Sequence, residues 1–163
     1  MKYFTSDTHF GHANIIQYSD RPWDSVEEMD EGLIANWNAR VRKGDEVYHL
    51  GDFAFCRSNR AEEIFDRLNG QIFLLEGNHD RRMRKSMRER FIWVKQREEI
   101  RVNGQKIVLS HYAMRTWNQS HRGSWQLYGH SHDSLPPIGL QMDVGVDAQN
   151  YMPISFEEIR AVM

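Results

Sequence analysis

Six short apolar runs, five of them leading into a short motif built on aspartate, asparagine or histidine, constrain this chain more than any other feature. The runs are Lys2–Ser6, Glu46–Leu50, Gln71–Leu75, Ile107–Ser110, Trp125–Tyr128 and Gln141–Val146. Continuous apolar runs of this length read as buried strands covered on both faces. Helical patterns separate the early runs. Ser25 with Glu28 three residues on reads as a capping box, and Val26, Met29, Leu33, Trp37 and Val41 follow at helical spacing. Ala61, Ile64, Phe65 and Leu68 form a second apolar stripe, ended by Asn69-Gly70. Ser155 with Glu158 opens a third helix near the C-terminus. The early strand–helix–strand order predicts parallel pairing with right-handed crossovers. The later runs lack intervening helices and predict an antiparallel or mixed arrangement, with a hairpin over Arg101–Lys106 turning at Asn103-Gly104. The expected fold class is therefore α/β: a layered sandwich of mixed β-sheets flanked by helices.

Bulk properties bound the rest. A length of 163 residues suits one domain over 1–163, and 40% hydrophobic content supplies a real core. No repeat, low-complexity stretch or long linker divides it. The formal net charge of −2 gives no general attraction to nucleic acid or membrane. Cys56 is the one cysteine, so no internal disulfide forms, as in a reducing cytoplasm. The opening residues lack the apolar run of a signal peptide, and no stretch approaches the ~18 apolar residues that span a bilayer. The expected location is cytoplasmic, with no membrane association, and no feature demands a protein partner.

The eight histidines are not scattered at random. His9, His79, His111, His130 and His132 each lie just past a strand-like run, as do Asp7, Asp52 and Asn78. Loops at the carboxyl ends of strands in an α/β sheet converge on one crevice. Residues distant in sequence can therefore meet there. Mixed imidazole and carboxylate donors suit Zn, Mn, Fe, Ni or Co, whereas Ca or Mg favours oxygen alone. Seven candidate ligands are too many for one four-coordinate ion. Two ions roughly 3.5–4 Å apart and bridged by one carboxylate would use them, activating a bridging water and neutralising phosphoryl oxygens.

Five motifs occur in order: Asp7-Thr8-His9, Gly51-Asp52, Gly77-Asn78-His79-Asp80, Ser110-His111 and Gly129-His130-Ser131-His132. Together they resemble the signature of the calcineurin-like metallophosphoesterase superfamily, from the first strand to about Val146. Each motif is weak alone; all five in order are specific. The resemblance implies the metallo-dependent phosphatase fold and hydrolysis of phosphate mono- or diesters by a metal-bridging hydroxide. It implies a first metal held by Asp7, His9, Asp52 and His132, and a second held by Asp52, Asn78, His111 and His130. Two divalent transition-metal ions are expected, with Mn the first choice. His79 would be the general acid, and Asp80 would orient His79 or a ligand. Gly51, Gly77 and Gly129 would let backbone pass close to the metals. Gly51-Asp52 is followed by Phe53-Ala54-Phe55-Cys56-Arg57, without the second aspartate of the protein Ser/Thr phosphatases. Asp7-Thr8-His9-Phe10-Gly11-His12 resembles instead small bacterial and phage phosphoesterases.

Several residues admit a functional and a bland reading. His12 either touches substrate phosphate or caps the next helix. His49 reads as buried structure, His121 as an exposed loop residue and Cys56 as a small apolar filler. Arg81, Arg82, Arg84, Lys85, Arg88 and Arg90 form either a phosphate-gripping patch or a solvated helix face over Met83, Met87 and Phe91. Arg115, Trp117, His121, Arg122 and Trp125 lie in or beside the loop between two ligand motifs. There they either sandwich a base and pair a phosphate or pack onto the sheet. The substrate expected on this basis is a nucleotide or short nucleic-acid phosphoester, held by His12, Arg81, Arg82, Arg115 and Trp117. Two other classes remain open: a catalytically silent metal-binding module, and a mononuclear metalloenzyme with a two-His-one-carboxylate face, which would leave four ligands without purpose.

Overall fold

A computed structural model describes all 163 residues, Met1–Met163. Strands β1 (Lys2–Thr5), β2 (Glu46–His49), β3 (Gln71–Leu75) and β4 (Val94–Lys95) pair in parallel in sequential order. A two-residue strand near the C-terminus, Ile154–Ser155, closes the far edge by pairing antiparallel to β1. Helices α1 (Ala13–Tyr18) and α2 (Val26–Arg40) connect β1 to β2, and α3 (Ser58–Arg67) connects β2 to β3. A 3-10 turn (Asp80–Arg82) and the short α4 (Lys85–Arg88) lead to β4. The second sheet runs β5 (Arg97–Val102), β6 (Gln105–Ser110), β7 (Trp125–Tyr128), β8 (Gln141–Asp143), antiparallel at the β5–β6 hairpin and parallel thereafter. The expected turn sits at Asn103-Gly104, both with positive φ. Ile154–Ser155 is β9, and α5 (Phe156–Val162) ends the chain.

Strand alternation divides the core into two layers. Tyr3, Val47, Ile72 and Leu74 face the helices, where Met29, Leu33, Trp37, Ala61 and Ile64 meet them. Phe4, Tyr48 and Leu75 face the other way and pack on Ile107, Leu109, Trp125 and Leu127 of the second sheet, with Phe156 and Ile159 of α5. Adjacent residues on β1–β3 thus feed opposite cores, which explains runs that are apolar throughout rather than alternating. The result is an α/β sandwich of two mixed sheets flanked by helices. No helix is long and apolar enough to cross a membrane.

Local signals held with some differences. Ser25 caps α2 by accepting from the Glu28 amide at 3.2 Å, but the Glu28 carboxylate reaches the Asp24 amide instead of Ser25. Ser155 and Glu158 make both halves of their box. The run Arg81–Arg90 is not one helix, because Met83 and Arg84 adopt extended backbone between the 3-10 turn and α4. Met87 and Phe91 are nevertheless buried and Met83 packs against the first core. Half of its cations are paired: Arg88 with Glu76, Arg90 with Asp66, and Lys85 with Glu89. Two strands, β4 and β9, escape detection in sequence because two-residue strands carry no periodicity.

The two-layer core makes a testable demand. Leu74 is fully buried between β3 and the helices. Leu74→Ala should lower unfolding free energy by about 2–5 kcal/mol, whereas the exposed Val162→Ala should change it by no more than about 0.5 kcal/mol. Chemical denaturation of the two variants checks this, and equal midpoints would contradict the packing.

Candidate metal centre

All seven candidate ligands lie on loops leaving the C-terminal ends of β1, β2, β3, β6 and β7, and they gather in one crevice. Asp52 is at its middle. Its Oδ2 stands 3.6 Å from His9 Nε2, 3.5 Å from His111 Nε2 and 3.9 Å from His79 Nε2. Three overlapping groups result, each with ligand atoms within 4.8 Å of one another: Asp7–His9–His132, His9–Asp52–His79 and Asp52–His111–His130. Asn78 joins the last side, its Oδ1 lying 3.1 Å from His111 Nε2.

Backbone bonds between neighbouring loops hold these residues in place. The amides of Asp7, His9 and Phe10 donate to the carbonyls of Gly51, Asp52 and Phe53 at 2.9–3.0 Å. The Asp80 carboxylate, buried, accepts from the amides of Asp52, Phe53 and Gly77 and so ties the loop after β2 to the loop after β3. Asp7 Oδ2 accepts from the His130 amide at 2.8 Å, and the Val146 amide donates to Ser6, joining the two sheets at the crevice. The glycines differ in what they supply. Gly51 adopts a φ of +105°, whereas Gly77 and Gly129 give space: a Cβ at Gly77 would collide with Asp52 Oδ1, and one at Gly129 with Ser6 and Asp7 Oδ2.

The polar atoms facing the crevice fit cations. Asp7 Oδ1 and His9 Nε2 are buried without a hydrogen-bond partner, 4.0 Å apart. Such atoms are rare in folded proteins and demand an explanation. His111 Nδ1 donates to the Leu50 carbonyl at 2.8 Å, which leaves Nε2 as an acceptor facing Asn78 Oδ1. Two lone pairs at 3.1 Å repel unless a positive charge lies between them. His132 Nδ1 donates to Asp147 Oδ2 at 2.6 Å, turning its Nε2 toward Asp7. Asp147 is in turn gripped by the buried Arg21 at 2.8 and 2.9 Å, and the same guanidinium donates to the Thr8 and Asp7 carbonyls. This carboxylate–histidine arrangement is the usual support of a metal ligand.

The remaining predicted residues divide. His79 is a third exposed at the crevice edge, and its side chain makes no hydrogen bond; its ring stands edge-on to Phe55 at 5.0 Å. Asp80 makes no hydrogen bond to the His79 ring; its carboxylate accepts from the Asp52 amide instead. His12 lines the crevice, 3.3 Å from His9 Nδ1; it also occupies the N-cap of α1, but without a side-chain cap bond. Arg82 lines a cavity behind His79, while Arg81 and Arg115 are exposed and line neither space. Trp117 is half-buried and donates to the Ser124 carbonyl, and Trp125 is in the core. Neither lines the crevice, and the packing reading holds for Trp125. His49 is buried against Thr8 at 2.9 Å, His121 is exposed, and Cys56 packs against the first core. Sequence reasoning missed Arg21, Asp147 and three exposed aromatics near the histidines: Tyr18, Phe55 and Tyr112. Asp147 repeats the pattern of an aspartate closing an apolar run; the others carry no local signal.

A family model described as a calcineurin-like phosphoesterase superfamily domain matches residues 3–143. An uncharacterized protein of Methanocaldococcus jannaschii is 39% identical over 166 residues, covering 96% of this chain and 88% of that protein. The gene 66 protein of Mycobacterium phage D29 is 27% identical over 195 residues, covering 99% and 94%. Among solved structures, a protein of unknown function from Aquifex aeolicus matches with a TM-score of 0.79 and 28% identity, over 100% of this chain and 99% of that one. A nuclease from Pseudomonas putida shares the fold at a TM-score of 0.52 and 21% identity, over 80% of this chain and 61% of that one.

The crevice's electrostatics make ion uptake measurable. Burial, with a contribution from Asp52, pushes the Asp7 carboxyl up to about 8 against the opposing pull of His132 and nearby hydrogen bonds. Burial and the neighbouring His132 and Arg21 hold His9 far below its ordinary value, in the neutral form that ligates. Below about 8, Asp7 must lose its proton to accept a cation. Mn²⁺ binding should therefore release protons, with affinity rising as pH increases toward about 8 and levelling above it. Calorimetry in buffers of different ionisation enthalpy reads both quantities, and an affinity independent of pH over this range would contradict the assignment of Asp7.

Proposed function

Because the chain belongs to the calcineurin-like phosphoesterase superfamily, we propose that it hydrolyses phosphate mono- or diesters with two divalent transition-metal ions. One observation carries the proposal. Asp52 Oδ2 is nearly equidistant from His9 and His111, at 3.6 and 3.5 Å, with a separate ligand group on each side. A carboxylate shared between two such groups is what a pair of ions requires. Asp7, His9, Asp52 and His132 would hold one ion, and Asp52, Asn78, His111 and His130 the other. The donor types suit Mn first, and Fe, Zn, Ni or Co as well. When bound, the pair supplies a lowered pKa for a water nucleophile and positive charge opposite the phosphoryl oxygens.

The chain's own residues do the rest. Leu50 and Asp147 fix the tautomers of His111 and His132, so that each presents Nε2 inward. Asp80 holds Asp52 through its backbone. His79 stands at the crevice edge with its ring nitrogens unengaged and delivers a proton to the leaving oxygen. A second reading is favoured by the 3.9 Å between His79 Nε2 and Asp52 Oδ2, which lets His79 serve as a ligand instead. The substrate is a nucleotide or short nucleic acid, on support other than that expected from sequence. The Trp117–Trp125 sandwich is replaced by Tyr18, Phe55 and Tyr112. His12 lies 4.5 Å from Phe55, and His130 lies 4.7 Å from Tyr112. Exposed aromatic faces beside a phosphate site suit base stacking.

A hydrolysis screen of Mn-loaded protein on mono- and diesters tests the activity, and two variants test the roles. Asp52→Asn should lose both bound metals and nearly all turnover together; near-normal turnover with two metals bound would sink the bridging role. His79→Ala should keep both metals and lose ~10²–10⁴-fold in rate. The loss should be smaller for p-nitrophenyl phosphate, whose leaving group needs little protonation. Loss of a metal from His79→Ala would favour the ligand reading.

A further inference from the structure

Behind the wall formed by Phe55 and His79 lies a second cavity of about 340 Å³ that the reading above leaves unused. Its interior is apolar, with Cys56, Met83 and Met87 among its lining, and Arg57 and Arg82 also border it. Phe55 and His79 border both this cavity and the metal crevice, so the two spaces adjoin at the group assigned to protonate the leaving oxygen. Arg60, Arg88 and Arg90 are paired with Asp30, Glu76 and Asp66, whereas Arg57, Arg81, Arg82 and Arg84 are exposed and make no ion pair; of these four, Arg57 and Arg82 border the cavity.

From this placement we infer that the cavity is the leaving-group subsite and that the leaving group is a nucleotide carrying a phosphate of its own. The inference rests on the phosphoesterase reading for its chemistry. An alkyl alcohol would use the apolar interior but engage neither guanidinium. A sugar phosphate would engage the guanidiniums but leave the apolar interior uncovered. A nucleotide uses both: its base lies against Phe55 and the methionines, and its phosphate takes the forks of Arg57 and Arg82. In the cleavage step, the oxygen of water bonds to phosphorus as the P–O ester bond breaks. The electron pair stays on the nucleotide's sugar oxygen, which takes the proton from His79. The attacking water restores that proton, and one water is consumed overall.

The test uses Mn-loaded protein and thymidine dinucleotides whose leaving nucleoside either does or does not bear a terminal phosphate. Wild type should prefer the phosphorylated form, and Arg57→Ala/Arg82→Ala should lower the ratio of the two kcat/KM values ~10-fold, the size expected for losing charged hydrogen bonds. Because Cys56 is the chain's one cysteine, its alkylation by N-ethylmaleimide reports occupancy without turnover. Burial pushes the Cys56 thiol up to about 11, so the assay is run at alkaline pH. Thymidine 3′,5′-bisphosphate should slow the alkylation several-fold and inorganic phosphate should not. An unchanged substrate ratio in the double variant, or alkylation indifferent to the bisphosphate, overturns the subsite. Protection of Cys56 in a protein that turns over neither the dinucleotides nor p-nitrophenyl phosphate supports nucleotide binding in the cavity and overturns the phosphoesterase reading.

Discussion

The backbone from Leu50 to Phe53 is the element on which the crevice depends. Its carbonyls receive the loop after β1, through Asp7, His9 and Phe10, and the ring of His111 from the second sheet. Its amides at Asp52 and Phe53 donate to the Asp80 carboxylate, which also accepts from Gly77 in the loop after β3. Three segments far apart in sequence are thus fixed to one short stretch of chain. Asp80 is the costly member. Burial pushes its carboxyl up to about 6 despite three amide donors. Removing its charge acceptors would leave those amides unpaired, at about 1–3 kcal/mol apiece. The position of Asp52 is therefore set by backbone, not by side-chain choice, and the side chain needs only to reach inward.

This separates two jobs that a loop-built site usually mixes. The inner residues are held by bonds to backbone or by Arg21 and Asp147, and most are buried. The outer ones, Tyr18, Phe55, Tyr112 and Arg82, are exposed and packed only on one side. Changing them alters what lies over the histidines without disturbing the ligand frame. Substrate preference in such a site is carried by residues whose replacement costs little stability, which is consistent with small surface effects in general.

Much of this was legible in sequence, for a physical reason. Strands that feed two cores must be apolar at successive positions, so β1, β2 and β3 announce themselves as runs, and β6 and β7 do so because successive residues are buried on both faces. Ligands must follow strand ends to converge, so their positions are announced with them. Apart from Asp80, the residues that brace the candidate ligands were not legible. Arg21 lies in a loop and reaches Asp147 across 126 residues, and nothing local marks it. The aromatic rim failed for a related cause. Trp117 and Trp125 sit near ligand motifs in the chain, but strand pleating turns Trp125 into the core, and Trp117 bonds to the Ser124 carbonyl beside it. Sequence proximity to a motif does not say which face a side chain takes. Phe55, passed over as an ordinary apolar residue, is half exposed beside His12 and His79 instead.

The backbone of the candidate ligands adds a further constraint. Asp7, His9, Asp52, His130 and His132 all have φ between 47° and 66°, in the left-handed region. Glycine would relieve the strain at each position, but glycine has no side chain to offer a cation. Aspartate and histidine are among the residues that enter this region most readily, so the donor types that suit transition metals also suit the turns. Each still costs on the order of 1–3 kcal/mol and persists because surrounding structure over-determines it. That structure is the lattice of bonds centred on Leu50–Phe53 together with the two cores beneath. Asp7 Oδ1 and His9 Nε2, buried and unpartnered, add a second unfavourable contribution on the same loop. Both are relieved by a cation and by little else. The strain in the turns and the unpartnered donors thus fall on the same loops, and a cation held there would satisfy the donors while the surrounding bonds carry the strain.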